Sequence, residues 1–281
     1  MAYPVGRASA SAALYSRFSE EDLLDAIGKD PQRVKECLEA GVTPNAVDIY
    51  GTSALWCALA SNQSPRQLRV PKGFIADVES AKFLIDKGAD VSAQDYTTES
   101  SILHLAVQTE GGCEIVLHLL QKSADPNART CMQETPLIMA CQSWNKNTCQ
   151  TIHLLHYHGA DIQAKDQFGH TALHHALLGS AGGSLDRIQT LLILGADLNA
   201  QTDQGWTPLM CACDQGNVEV ANLLLNSGAN PDIATHNDPK RRGWKALDFA
   251  QAQSSPFYTC RRGEIVAILI ANQQQDQGEG P

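Results

Sequence analysis

The amino-acid sequence predicts an all-α fold, a solenoid of helix-turn-helix repeats joined by β-hairpin fingers, and three observations predict it. One phrase, Gly88-Ala-Asp-Val-Ser-Ala, returns as Ser123-Ala-Asp-Pro-Asn-Ala, Gly159-Ala-Asp-Ile-Gln-Ala, Gly195-Ala-Asp-Leu-Asn-Ala and Gly228-Ala-Asn-Pro-Asp-Ile, at steps of 35, 36, 36 and 33 residues. A second phrase keeps register with it: Thr52-Ser-Ala-Leu-Trp, Ser101-Ile-Leu-His, Thr135-Pro-Leu-Ile, Thr171-Ala-Leu-His, Thr207-Pro-Leu-Met and Lys245-Ala-Leu-Asp. Leucine pairs at 119–120, 154–155, 191–192 and 223–224 stand between the second phrase and the next copy of the first. A constant period of this size marks a stack of small units, each too small to bury its apolar face alone.

Residues 1–18 read as a flexible N-terminus. A helical cap is expected over 19–47, because Ser19-Glu-Glu-Asp opens a helix with acidic groups at its positive end. Repeats follow at about 48–94, 95–129, 130–165, 166–201, 202–234 and 235–272. In each, a Thr or Ser before an apolar run accepts from an early backbone N–H and starts the first helix. Pro136 and Pro208 fit directly after it, where that N–H has no partner to lose. The leucine pair lies on the second helix, which stops at a glycine able to adopt a left-handed conformation. An early copy, Gly41-Val-Thr-Pro-Asn-Ala, precedes Gly88 by 47 residues, so the first repeat carries an insertion at about 61–78. Gly179-Ser-Ala-Gly-Gly-Ser184 lengthens the turn of the fourth repeat and lacks the Lys-Ser or Lys-Thr of a phosphate loop. The polar stretch 273–281 reads as a flexible tail.

The second phrase resembles the T-P-L-H-x-A signature of the ankyrin repeat, and the resemblance covers roughly residues 19–272. It departs from the pattern where Ser123 replaces the terminating glycine, where Lys245 replaces the capping Thr, and where Trp56, Ile138, Met210 and Asp248 replace the His. The resemblance implies a concave groove lined by finger tips and by the exposed side of each first helix. Aligned on the glycine before the Thr, it marks Tyr50, Phe168, His170, Trp206, Arg241, Arg242 and Trp244 for partner contact. Trp206 and Trp244 share one slot in successive repeats and are expected to project side by side, able to clamp an apolar or cationic group. Lys240, Arg241 and Arg242 form a basic corner beside Trp244, suited to a carboxylate or phosphate or to plain solvation. Asn127 and Asn199 resemble the finger asparagines that are hydroxylated in some members of the family.

Composition narrows the function. The 281 residues are 43% hydrophobic and 19% charged, ordinary for a soluble globular chain. The net charge of −10 excludes general nucleic-acid binding, which requires a basic footprint. The charge is uneven: residues 235–270 carry six basic against three acidic groups, +3, which leaves −13 elsewhere. No run of eighteen apolar residues and no early apolar run of signal-peptide length occur, and the nine cysteines are odd in number with no CxxC spacing. An intracellular location, cytoplasmic or nuclear, with reduced thiols and no membrane contact, is therefore expected.

No catalytic motif appears, and no cofactor or metal is expected. His104 and His174 fill the consensus His slot, where the ring is expected to bond backbone of a neighbouring finger. His153 and His156 are three apart on one helix, but no third ligand is spaced to join them. Cys211 and Cys213, two apart, point to different sides of a helix and read as core. His170, His175, Asp203 and Asp214 are the acid–base candidates, and nothing in their spacing shows that any two meet. The expected function is a non-catalytic interaction module, an adaptor, scaffold or transcriptional co-regulator, binding another protein. The rival is a small-molecule carrier or enzyme whose groove is closed by the 61–78 and 253–262 segments.

Overall fold

The structure is a computed structural model that describes residues 18–60, 77–143, 145–178, 184–252 and 259–278. The chain falls into two compact units, residues 1–128 and 129–281. The first holds α1 (Glu20–Ala26), α2 (Pro31–Glu39), α3 (Ala54–Leu59), α4 (Val78–Asp86), α5 (Ile102–Ala106) and α6 (Gly112–Gln121). In it α1, α3 and α5 stack in an inner row, and α2, α4 and α6 in an outer one. The second holds α7 (Pro136–Gln142), α8 (Thr148–Tyr157), α9 (Ala172–Leu178), α10 (Leu185–Ile193), α11 (Pro208–Gln215), α12 (Val218–Asn226), α13 (Ala246–Gln251) and α14 (Thr259–Gly278). Its inner row is α7, α9, α11 and α13; its outer row is α8, α10, α12 and α14. The all-α solenoid fold expected from the two phrases is the one observed.

The predicted helix starts are visible atom by atom. Ser53, Thr135 and Thr207 accept from the N–H three residues on, at 3.2, 3.3 and 3.3 Å. Ser19 does the same for Asp22, whose carboxylate returns a bond to the Ser19 N–H at 2.9 Å. Residues 19–47 hold a helix pair, α1 and α2. At Lys245 the missing hydroxyl is replaced from the other side, since Asp248 accepts from the Lys245 N–H at 2.7 Å. Ser123 adopts φ 67°, the left-handed conformation that glycine supplies at 88, 159, 195 and 228. The last helix continues past residue 272, where a flexible tail is expected, to Gly278.

The fingers contain no strand among the described residues. They are tight turns closed by isolated antiparallel bridges, Val47 to Ser53, Gln94 to Ser101 and Lys165 to Thr171. An Asp or Thr at the base of each finger holds its turn. Asp48 accepts from the N–H groups of Tyr50 and Thr52, Thr130 from Met132 and Glu134, and Asp166 from Phe168 and His170, at 2.8 to 3.3 Å.

Leucine, isoleucine and alanine fill the space between helix rows. Leu137, Leu173, Leu191, Leu209, Leu224 and Phe249 are all sealed from solvent, each contributing roughly 1.5–3 kcal/mol. Two arginines complete the second unit. Arg187 on α10 donates to the carbonyls of Cys141 and Ser143 at the end of α7, and Arg262 on α14 to those of Asp214 and Ala252 at the ends of α11 and α13. Both reach carbonyls that have no partner in their own helix. Arg262 is 4% exposed and so belongs to the core rather than to a basic surface.

Candidate functional site

The second unit presents a row of finger tips bonded one to the next. The Gln167 N–H donates to the Met132 carbonyl at 3.0 Å, Asp203 N–H to Phe168 at 3.0 Å and Asn237 N–H to Gln204 at 3.4 Å. Lower on the fingers a second ladder runs through one repeat position: Arg129 to the Lys165 carbonyl at 2.8 Å, Lys165 Nζ to Gln201 at 2.7 Å, and Gln201 Nε2 to Ala234 at 3.3 Å. Tight approach demands glycine at the tips. A Cβ on Gly169, at φ +78°, would stand 2.7 Å from the Asp203 N, and one on Gly205, at φ +86°, 2.7 Å from the His236 N. Phe168, 54% exposed, and Met132, 42% exposed, stand on this fixed row.

Behind Phe168 lies a polar cluster. The spare oxygen of Asp166, Oδ2, accepts from His175 Nε2 at 2.9 Å. The other nitrogen of His175, Nδ1, accepts from Gln142 Nε2 at 3.1 Å, and the same amide donates to Glu134 at 2.7 Å. His170 packs edge-on to Phe168 and His174, and its Nδ1 stands 3.5 Å from Asp166 Oδ1. That nitrogen is buried and makes no hydrogen bond among the described residues. Burial alone would raise the Asp166 pKa, but the bonds from His175, His170 and Phe168 outweigh it and hold the carboxyl below its usual range. Burial pulls the His170 pKa down, the Asp166 charge opposing it.

His174 is a structural residue. Its Nε2 must donate to the Trp206 carbonyl at 3.2 Å, which leaves Nδ1 to accept from the Thr171 N–H at 3.2 Å. Burial pushes its pKa down to about 3. The expected bond from the consensus His to a neighbouring finger is thus present at His174.

One repeat further, Trp206 and Trp244 both meet Phe249 edge-on, with ring centres at 4.6 and 5.3 Å. The cation between them is Arg241 of the same chain. Its guanidinium lies 5.1, 5.4 and 5.1 Å from the ring centres of Trp206, Trp244 and Phe249, and pairs with Asp214 at 3.2 Å. Trp206 Nε1 donates to the buried Asp238 at 2.9 Å. Both indoles are half-buried, so the space expected to receive a group from outside is filled from within. Arg241 is accordingly withdrawn from the basic corner, which leaves Lys240 and Arg242 exposed.

Comparison with known proteins decides the family. The sequence model for ankyrin repeats, in three copies, matches residues 70–166, 103–201 and 137–235. The chain is an ankyrin-repeat protein. It is 31% identical over 207 residues to the B-cell lymphoma 3 protein homolog of Mus musculus, a match covering 72% of this chain and 42% of that protein. It is 33% identical over 178 residues to p28 of Saccharomyces cerevisiae, named as a 26S proteasome regulatory subunit, covering 61% of this chain and 73% of the relative. It is 29% identical over 209 residues to the ankyrin repeat protein YahD of Escherichia coli, covering 74% and 95%. The chain therefore spans less than half of the first of these relatives.

Other marked residues of this ankyrin-repeat protein are placed as follows. Tyr50, in the first unit, is 66% exposed on its finger tip, beside Ile49 at 91%. Of the four acid–base candidates, His170 and His175 do meet, through Asp166, while Asp214 is taken by Arg241. Asp203 lies in the tip row. His153 is exposed and His156 half-buried. Cys211 and Cys213 are buried in α11, and desolvation pushes both thiols up to about 12. Asn199 Oδ1 accepts from the Asn230 N–H at 2.8 Å, linking two fingers. Residues 61–76 and 253–258, most of the two segments on which the enclosed-pocket reading rests, lie outside the described residues, as do 179–183 of the lengthened turn. Sequence reasoning missed Asp166, Glu134 and Gln142, although Asp166 stands where Thr130 and Thr202 stand in neighbouring repeats.

Proposed function

We propose that this ankyrin-repeat protein acts as an adaptor or co-regulator inside the cell and binds a partner protein along the tip row of its second unit. Phe168 and His170 supply the apolar and polar contacts and Arg242 a peripheral charge. Trp206, Trp244 and Arg241 form the half-buried wall behind them. Tyr50 is a separate contact on the first unit. The observation that carries this reading is an apolar side chain, Phe168, held exposed on a backbone row tied tip to tip. A large apolar group kept in solvent on a rigid support costs little conformational entropy to bury against a partner. One relative, p28, is named as a 26S proteasome regulatory subunit, and no helix of the described residues is long and apolar enough to cross a membrane. The eight described cysteines are free thiols, which suits a reducing compartment.

The test is quantitative affinity capture from the source cell with the wild type and a Phe168→Asp/Arg242→Ala double variant of matched helicity and melting temperature. The proposal expects the same protein partner to be retained by the wild type and depleted at least about tenfold in the variant, the effect of losing one central contact. Equal retention by both would place the site elsewhere.

A further inference from the structure

We propose that Asp166, His170 and His175 form a binding site for a divalent transition-metal ion of the zinc class. Each residue offers one ligand atom, and the three atoms lie within 4.8 Å of one another. In a tetrahedral zinc site the ligand atoms stand about 3.4 Å apart. Asp166 Oδ2 and His175 Nε2 are already 2.9 Å apart, and His170 Nδ1 is 3.5 Å from Asp166 Oδ1, so modest side-chain rotation closes the set. Two imidazoles and one carboxylate suit zinc and its neighbours in the first row better than calcium or magnesium, which prefer oxygen alone.

Four features separate this cluster from an incidental meeting of polar groups. His170 Nδ1 is buried without a hydrogen bond among the described residues, a position a metal ion would relieve. Glu134 and Gln142 orient the His175 ring from its far side, as outer partners do for ligating histidines. The surroundings favour a cation, since Glu134, Asp166 and Asp203 face the cluster and the nearby Lys165 is turned to the Gln201 carbonyl. The two histidines also depart from the repeat, whereas Asp166 fills the finger-base position that Asp48 fills in the first unit. Trp206 and Trp244 stand at the position of His170, and Met139, Cys211 and Phe249 at that of His175. Partial exposure of the two rings, 27% and 15%, leaves a path for the ion and a fourth position for water.

On binding, the ion takes the place of the proton that His175 Nε2 now gives to Asp166. The ring stays neutral by carrying its proton on Nδ1, and Gln142 turns its amide oxygen to accept it, giving up its bond to Glu134, whose carboxylate rotates away. The site is complete without a partner protein; it shares His170 with the surface proposed above, but its test needs no partner.

The test is titration of the full, reduced chain with cobalt(II), followed by visible absorption, and then displacement by zinc(II). The neighbouring repeats supply variants that keep the fold: Asp166→Thr retains the finger-base acceptor, His170→Trp is the residue of the next repeat, and His175→Met that of the previous one. One cobalt ion should bind with the spectrum of a four-coordinate nitrogen and oxygen site and no thiolate charge-transfer band, and zinc should displace it. Each variant should weaken binding at least about tenfold while still melting cooperatively. The spectrum of the wild type reports the donor set even if a variant fails to fold. Absence of stoichiometric binding, a thiolate band, or equal affinity in folded variants would each overturn the proposal.

Discussion

The guanidinium of Arg241 stands 5.1 Å from the ring centre of Trp206, and the two residues come from successive fingers of the same sheetless stack. The contact joins repeats through a charge whose partner, Asp214, lies on the intervening first helix. Replacing Arg241 with Ala should cost about 2 kcal/mol, from the lost cation–π contacts and the lost ion pair to Asp214. Arg241→Lys should recover only part of this, because an ammonium lacks the planar surface that meets three rings. Urea unfolding followed by tryptophan emission checks both, since Trp206 and Trp244 report on the box itself.

Arg187 and Arg262 are expected to be more costly to lose than any surface arginine. Each gives two donors to carbonyls at helix ends, and truncation removes both bonds from a half-buried setting. Arg187→Ala and Arg262→Ala should each destabilise the second unit by about 2–4 kcal/mol. Chemical denaturation, compared with an Arg242→Ala control expected to lie within about 0.5 kcal/mol of the wild type, measures the difference.

Acid should unfold the protein through its buried imidazoles. His174 titrates near 6.5 when unfolded but is held to about 3 when folded, and burial also lowers His170. Unfolding thus takes up protons as pH falls below 6.5, and His174 alone should remove about 1.4 kcal/mol of stability per pH unit down to about 3. Asp166, with its pKa lowered from 3.8, keeps its contribution above that value and loses it only below. His174→Gln should flatten the slope between pH 6 and 4 in a series of urea melts.

Ser123 offers a gain. It holds φ 67° at the end of α6, where an L side chain is strained and the equivalent position of other repeats has glycine. Ser123→Gly should stabilise the first unit by about 0.5–1 kcal/mol, read as a rise in the denaturation midpoint at constant slope.

The periodic part of this molecule was legible without coordinates. Capping at Ser53, Thr135 and Thr207, the left-handed helix ends and the stacking of helix pairs follow from local chemistry repeated in phase. The departures were harder to read. Asp166 and His175 are nine residues apart across a finger and a helix, and neither looks unusual alone. Arg187 and Arg262 act on helix ends 44 and 48 residues away in sequence, a relation the repeat period does not encode. The tryptophan pair was visible as a pair, but its cation was sought in a partner because Arg241 looked like surface. Contacts made by side chains unique to one repeat have no second copy from which to infer them.

The central claim is that the tip row carrying Phe168 meets a partner protein. Site-specific photo-crosslinking in the source cell tests it most directly, with the reactive group placed at position 168 and, as a control, at Tyr157, which is 85% exposed on the outer helix α8. A discrete crosslinked protein from position 168 that is absent from position 157 is the predicted result. Crosslinking from 157 alone, or none from 168 in folded protein, would contradict it.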